Sequence, residues 1–334
     1  MGYRFIQITN IPMAKGFKFH KLVREDKVHN YIDTRFDQLS KSWFQFQNQW
    51  ISSAYKPFQD YEKYLIFLYL VKKTISFFSE NLITYDYDTY FKGKQFEIAN
   101  FNIIEISKSL DISKETARRK ILELVNENII KRERKKLTVI NIIDRNQFSY
   151  HRPEKSIKYV SKFLSDFFNI IEKEKLIEQK IDQKTLEKYF FTNYTYSWNL
   201  FLNMQIPILL NWKKVFGDLE SWVIFGQCWI NKDLRIKKSS ENNKKYIDDV
   251  LKNSSNSGIN AMSISEITGI PRATVVRKLK KLVKMNALYL DKKKLYHPSK
   301  YLKKNVYDTF DKNKILISEF STKIYNSIVS SNLS

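Results

Sequence analysis

At 334 residues the chain is long enough for two ordinary domains, and its 43% hydrophobic and 15% aromatic side chains give ample material for a packed core, which excludes wholesale disorder. Its single cysteine, Cys228, excludes an internal disulfide and any cysteine-rich metal cluster, and it suits a reducing compartment. The formal net charge of +23 opposes compaction and points to a polyanionic partner.

Lysine, isoleucine and asparagine are all abundant, as an AT-rich coding bias produces, so the positions of the 12 arginines inform more than the number of lysines. The opening residues, MGYRFIQITN, have no signal-peptide pattern, and Ile6 stands where a myristoylation motif needs Ser or Thr. The longest apolar run, YLIFLYLV at 64–71, is too short to span a bilayer. The expectation is a soluble, cytoplasmic protein associated with the nucleoid, with no membrane partner.

In chain order, Phe36, Leu39, Trp43, Phe46 and Trp50 recur at helical spacing, and a second helix covers about 60–79. Residues 84–100 read as irregular. A short helix is predicted at about 104–110 and a longer one at about 114–126. Two β-prone segments, Ile129–Lys131 and Leu137–Ile143, then fit a hairpin. The polar stretch 144–155, with Pro153, is the expected domain boundary. An amphipathic helix carrying Ile157, Val160, Leu164, Phe167 and Ile171 follows.

The second half repeats this order. Helices are predicted near 184–204 and 218–230, then a polar loop, then short helices at about 264–269 and 272–285. Ser263 and Glu266 suggest a capping box for the first, and Pro271 suits the first position of the second. A hairpin near 287–297 and a helix carrying Ile317, Phe320, Ile324 and Ile328 complete it.

A shift of 158 residues superimposes the two halves. ISKSLDISKETARRKILELVNEN at 106–128 falls on ISEITGIPRATVVRKLKKLVKMN at 264–286, and 12 of 35 positions agree over 103–137. DYEKYLIF at 60–67 falls on DLESWVIF at 218–225 at the same shift, with four of eight positions identical. One offset kept over two separated blocks marks an internal duplication. The expected architecture is mainly α with small β-wings: a first domain at 1–150 with its motif at about 103–143, and a second at 151–334 with its motif at about 261–298.

A short helix, a tight turn, a second helix and a hairpin together form a winged helix-turn-helix, whose second helix projects into the DNA major groove. Ala117, Ile121 and Leu124, and likewise Val275, Leu279 and Leu282, are expected to face inward. Both copies resemble the bacterial winged-helix transcription-factor superfamily over about 45 residues each. SKETARR resembles the recognition helix of the Crp/Fnr regulators, which implies base contacts by Lys114, Glu115 and Arg119; in the second copy these positions are Arg272, Ala273 and Arg277. Ala273 departs from the pattern, so the two copies should not read the same sequence. No jelly-roll pattern precedes either copy, and the flanking helices resemble the MarR-type scaffold.

Arg pairs bidentately with guanine and Glu accepts from cytosine. Ser113, Thr116 and Thr274 suit phosphate near a helix N-terminus. Arg118, Lys278 and Lys281 are expected to add to the same surface, and Arg132, Arg134, Lys135, Lys136, Lys292, Lys293 and Lys294 to form the wings. Half of the arginines lie in the two motifs, which lysine bias does not explain. Residues 101–145 hold 11 basic and 7 acidic residues, and 259–304 hold 12 and 2, so the second motif should supply more of the electrostatic affinity.

His20, His29, His151 and His297 lack metal-binding spacing, Asp86 and Asp88 read as loop acids, and neither a phosphate loop nor a dinucleotide fingerprint occurs. The expectation is no cofactor, no metal and no enzymatic activity. The leading reading is a transcriptional regulator that binds double-stranded DNA asymmetrically. A plasmid or phage replication initiator with duplicated winged helices, and a winged-helix scaffold that binds protein, are the alternatives. Pairing with a second copy and response to a small-molecule effector both stay open.

Overall fold

The computed structural model describes residues 22–93, 95–98, 102–134, 136–140, 152–233, 258–302 and 304–331. It is mainly helical with small antiparallel strands. The first half runs α1 (Glu25–Phe58), α2 (Tyr61–Glu80), α3 (Tyr87–Lys92), β1 (Gln95–Ile98), α4 (Ile103–Leu110), α5 (Lys114–Asn126), β2 (Ile130–Glu133) and β3 (Lys136–Ile140), and α6 (Pro153–Lys173) follows. The second runs α7 (Gln183–Thr192), α8 (Tyr194–Phe216), α9 (Leu219–Asp233), α10 (Ala261–Thr268), α11 (Arg272–Lys284), β4 (Leu288–Leu290) and β5 (Tyr296–Pro298), and α12 (Lys304–Ser331) closes it.

The devices that start, break and stop these helices recur at the 158-residue offset. α1 and α7 begin at Glu25 and Gln183. α1 is broken at Arg35 (φ −127°, ψ 28°), and Asn193 (φ −114°, ψ 45°) separates α7 from α8. Gln59 and Gly217 end α1 and α8 in the left-handed conformation, which frees the chain to turn at once into the next helix. Asp60 and Asp218 then accept backbone N–H groups at the starts of α2 and α9. Asn102 and Asn260 cap α4 and α10, whose left-handed C-caps are Asp111 and Gly269. Asn128 and Asn286, both at positive φ, turn the chain from α5 and α11 towards their hairpins, and Asn tolerates that conformation better than most residues.

The two halves interlock. α2 packs on α8 and α1 on α9; α6 packs on α7 and α12 on α1. Buried residues of both halves belong to one continuous apolar cluster. Trp50 of α1 meets Phe201 of α8 edge-on at 5.4 Å, and Phe46 stacks on Phe163 of α6 at 5.5 Å. Full burial of each such ring is worth about 1.5–3 kcal/mol. Most of the boundary expected at 144–155 falls on 141–151, outside the described residues.

Several local expectations change. The stretch 84–100 holds α3 and β1, and β1 pairs with β3 to give a sheet of order β1-β3-β2. Ser263 and Glu266 form no capping box. Asn260 caps α10 by accepting from the Ser263 N–H at 2.9 Å, so the helix starts earlier, and Pro271 is the N-cap of α11 rather than its first residue. The second hairpin is one residue longer: Ile130 pairs with Val139, but Leu288 pairs with Pro298. On the return strand Lys136 therefore corresponds to Leu295, and Lys294 sits in the turn at φ 60°. The Lys136–Lys294 match in the sequence is not a structural equivalence.

Candidate nucleic-acid interface

α5 lies on α2, and α11 lies on α9. Ala117, Ile121 and Leu124 are buried beneath α5, as are Val275, Leu279 and Leu282 beneath α11. A helix turns about 100° per residue, so a stripe of that spacing fixes the opposite face. On α5 that face exposes Lys114, Glu115, Arg118, Arg119, Leu122 and Asn126; on α11 it exposes Arg272, Ala273, Arg277, Lys280 and Lys284.

One carboxylate anchors each helix. Asp60 caps α2 through Oδ1, accepting from the Glu62 and Lys63 N–H groups at 2.7 and 2.9 Å, and its Oδ2 meets Lys120 Nζ at 2.7 Å. Burial disfavours the Lys120 charge, but Asp60 and Glu123 more than offset this and raise its pKa. Asp218 accepts the Ser221 N–H at 2.7 Å, and its Oδ2 meets Lys278 and Lys281 at 2.8 and 2.7 Å. Burial works against the Asp218 charge, yet these lysines and Ser221 hold its pKa down to about 2.

Lys278 is therefore not a member of the outward basic surface, and Lys281, though 40% exposed, is tied to Asp218 at its edge. Position 278 directly precedes buried Leu279 and lies beside the apolar stripe, where its side chain turns in to Asp218 and is 14% exposed. Lys281 also donates to the Phe216 carbonyl at 2.8 Å. Lys280 and Lys284, three and seven residues after Arg277, take the outward positions instead. Strict use of the helical period from Val275 would have found them.

The turns are built alike. Ser107 donates to the Ile112 carbonyl at 2.6 Å across the α4–α5 turn, and Ser265 donates to the Ile270 carbonyl at 2.7 Å across the α10–α11 turn. Each motif also touches the other half. Lys213 of α8 donates to the Asp111 carbonyl at 2.9 Å, and Gly269 lies against the Lys56 side chain of α1. A Cβ at Gly269 would come within 3.3 Å of Lys56 Cγ, and its φ of +74° also favours glycine.

The two outward faces differ in charge. On α5, Arg118 pairs with Glu115 at 2.8 Å and Arg119 with Glu123 at 3.2 Å. Among the described residues no acidic group pairs with Arg272, Arg277, Lys280 or Lys284. The N-termini differ as well. Ser113 Oγ accepts the Thr116 N–H at 3.0 Å and donates to Thr116 Oγ1 at 2.9 Å, whereas Pro271 gives α11 no side-chain cap. Thr274 is half-buried in the first turn of α11.

In the first hairpin Arg132 and Arg134 are exposed, Arg134 at φ 49°, and Lys136 pairs with Glu97 of β1 at 2.9 Å. Lys135 lies outside the described residues. In the second, Asp291 accepts the Lys293 and Leu295 N–H groups at 2.9 Å each and bonds buried His297 Nε2 at 2.9 Å. The backbone bond from Leu295, then His297, hold its carboxyl below the usual range. That acid shapes the turn, and Lys292, Lys293 and Lys294 are left exposed around it.

Asp86 caps α3, accepting the Thr89 N–H at 2.7 Å. Among the described residues no group of three or more His, Cys, Asp or Glu is placed to hold a metal, and no helix is long and apolar enough to cross a membrane. Comparison with protein-family models, curated proteins and solved structures finds no match.

Proposed function

We propose that the chain is a sequence-specific, double-stranded-DNA-binding regulator formed by tandem duplication of a winged-helix unit. α5 and α11 are its reading helices, and the β2–β3 and β4–β5 hairpins are its wings. The observation that carries this reading is the pair of equivalent helices that hold arginine-bearing faces outward from one shared core, each anchored at its inner edge by a carboxylate.

The chemistry follows from the residue types. Arg119 and Arg277 present guanidinium forks suited to guanine, and exposed Leu122 suits a thymine methyl group. Arg272, Lys280, Lys284 and the wing lysines suit phosphates, which position the protein and set its salt dependence. Because the halves share a core, the two helices are presented in a fixed relation. Adjacent major-groove segments one turn apart, about 34 Å, are the targets such a pair requires. Unlike faces read an asymmetric site.

Fluorescence anisotropy with a labelled duplex tests this. The wild type should bind, with affinity falling steeply between about 50 and 200 mM salt. Replacing Arg272, Arg277, Lys280 and Lys284 with Ala should weaken binding at least about 100-fold with the helical circular dichroism unchanged, since a single good base contact alone is worth about 1–3 kcal/mol. Equal affinity of the variant, or no duplex binding by the wild type, rejects the proposal in favour of a protein-binding role.

A further inference from the structure

Four residues cover the middle of the outward face of α11. Ala273, Val276, Arg277 and Lys280 stand at i, i+3, i+4 and i+7, the spacing that sets side chains next to one another on one side of a helix. Together with Arg272 they line one open depression. Arg272, Arg277 and Lys280 are its cationic groups. Its apolar part is Ala273, which is exposed, and Val276, which is half-buried.

Core packing does not account for Val276. Among the described residues, Val283 of the same helix packs against the apolar core and Val276 does not. A β-branched side chain also lowers helix propensity, so helix stability does not call for valine at this position.

The equivalent face of α5 is built differently. At the 158-residue offset Glu115, Arg118, Arg119 and Leu122 stand where α11 has Ala273, Val276, Arg277 and Lys280. The arginine alone is common to both. Glu115 and Arg118, paired at 2.8 Å, put charge where α11 is apolar. The exposed apolar side chain of α5 is Leu122, which follows Arg119 by about one turn. On α11 the order is reversed: Ala273 precedes Arg277 by about one turn, and Val276 directly precedes it.

We propose that α11 reads a thymine beside a guanine, with the thymine methyl group against Ala273 and Val276 and the guanine edge on Arg277; this rests on the DNA-binding reading. In the major groove of unmodified DNA the C5-methyl group belongs to thymine and seeks apolar contact, while guanine offers O6 and N7 to a guanidinium fork. The methyl group is uncharged and small enough for an alanine–valine patch, which leaves Arg272 and Lys280 to the phosphates. Because the apolar contact precedes the arginine on α11 and follows it on α5, thymine and guanine come in opposite order along the two reading helices. Charge gives α11 its affinity, and this patch gives it a sequence preference.

Deoxyuridine, which is thymidine without the methyl group, tests this in a duplex selected by the full-length wild-type chain. Each thymine is replaced singly, and affinity is read by fluorescence anisotropy. In the half-site whose preference Arg277→Ala removes, one replacement should weaken binding about fourfold, the worth of one buried methyl-sized group. That penalty should shrink in Val276→Ala and vanish when Ala273→Glu is combined with Val276→Arg, which copies α5. Both variants should keep the wild-type helical circular dichroism. A bound duplex with no deoxyuridine penalty in that half-site, or the full penalty in either variant, overturns the thymine assignment and leaves DNA binding standing. Failure of the wild type to bind any duplex overturns both.

Discussion

α5 and α11 occupy equivalent places and differ in what they do with charge. The arginines of α5 are already engaged by its own Glu115 and Glu123, at the helical spacing that favours such pairs. α11 contains no acidic residue, and among the described residues none pairs with its four outward cations. Exposed pairs of the α5 kind are worth only about 0.2–1 kcal/mol, so they orient arginines more than they bind them. A partner of α5 must displace those carboxylates and offer something better, which favours fit. A polyanion meets α11 without that exchange, which favours affinity. On the proposed DNA-binding reading, one scaffold then holds a selective face and an adhesive one.

The largest effect is expected where the scaffold grips a helix. Asp218→Ala leaves Lys278 and Lys281 without their carboxylate and uncaps α9, at about 2–3 kcal/mol in urea denaturation, somewhat below a fully buried pair because Asp218 is 22% exposed. Its depressed pKa makes that contribution complete above the ordinary carboxylate value of 3.8 and lost as pH falls through about 2. The difference between wild type and Asp218→Ala should therefore be constant from neutral pH down to about 4 and vanish below 2. Asp60→Ala tests the matching anchor of α5, and a negligible cost there would break the equivalence of the two halves.

Next come the faces themselves. Arg277→Ala should weaken duplex binding by about 1–3 kcal/mol, and Arg119→Ala by less, because Arg119 must first leave Glu123. Replacing Lys280 and Lys284 with Ala should lower the slope of log affinity against log salt by about 0.9 for each phosphate these lysines neutralise, with sequence preference kept. Glu115→Gln, which releases Arg118, should strengthen binding by less than about 1 kcal/mol. If Arg119→Ala costs more than Arg277→Ala, the assignment of adhesive and selective faces is reversed. The smallest effect is Gly226→Ala, expected to stabilise the fold by about 0.5–1 kcal/mol in the same denaturation assay.

Much of the local frame is legible in the sequence. The span of α5 is readable because Ser113 marks its start and Ala117, Ile121 and Leu124 set its period. The recurrence at 158 residues carries through to the structure because caps and turns are local devices: Asp60 and Asp218, or Ser107 and Ser265, need only nearby backbone. What the sequence hides depends on partners far along the chain. β1 is a strand through pairing with β3, some 40 residues on, and its own sequence does not announce it. The interlock of α1, α2, α8 and α9 rests on contacts such as Trp50 with Phe201, which no period encodes. Counting charges in the motif misplaces Lys278; its side of the helix is set by its position next to buried Leu279. The extra residue in the second hairpin is masked by the matched lysines 136 and 294.

The central claim is that one rigid core presents two unlike reading helices. The most direct measurement is selection of bound duplexes from a random pool at physiological salt, run with the wild type, Arg119→Ala and Arg277→Ala. The account predicts an asymmetric motif in two parts, with each variant losing preference in a different part. Binding without enrichment, a palindromic motif, or loss of the same part in both variants would contradict it.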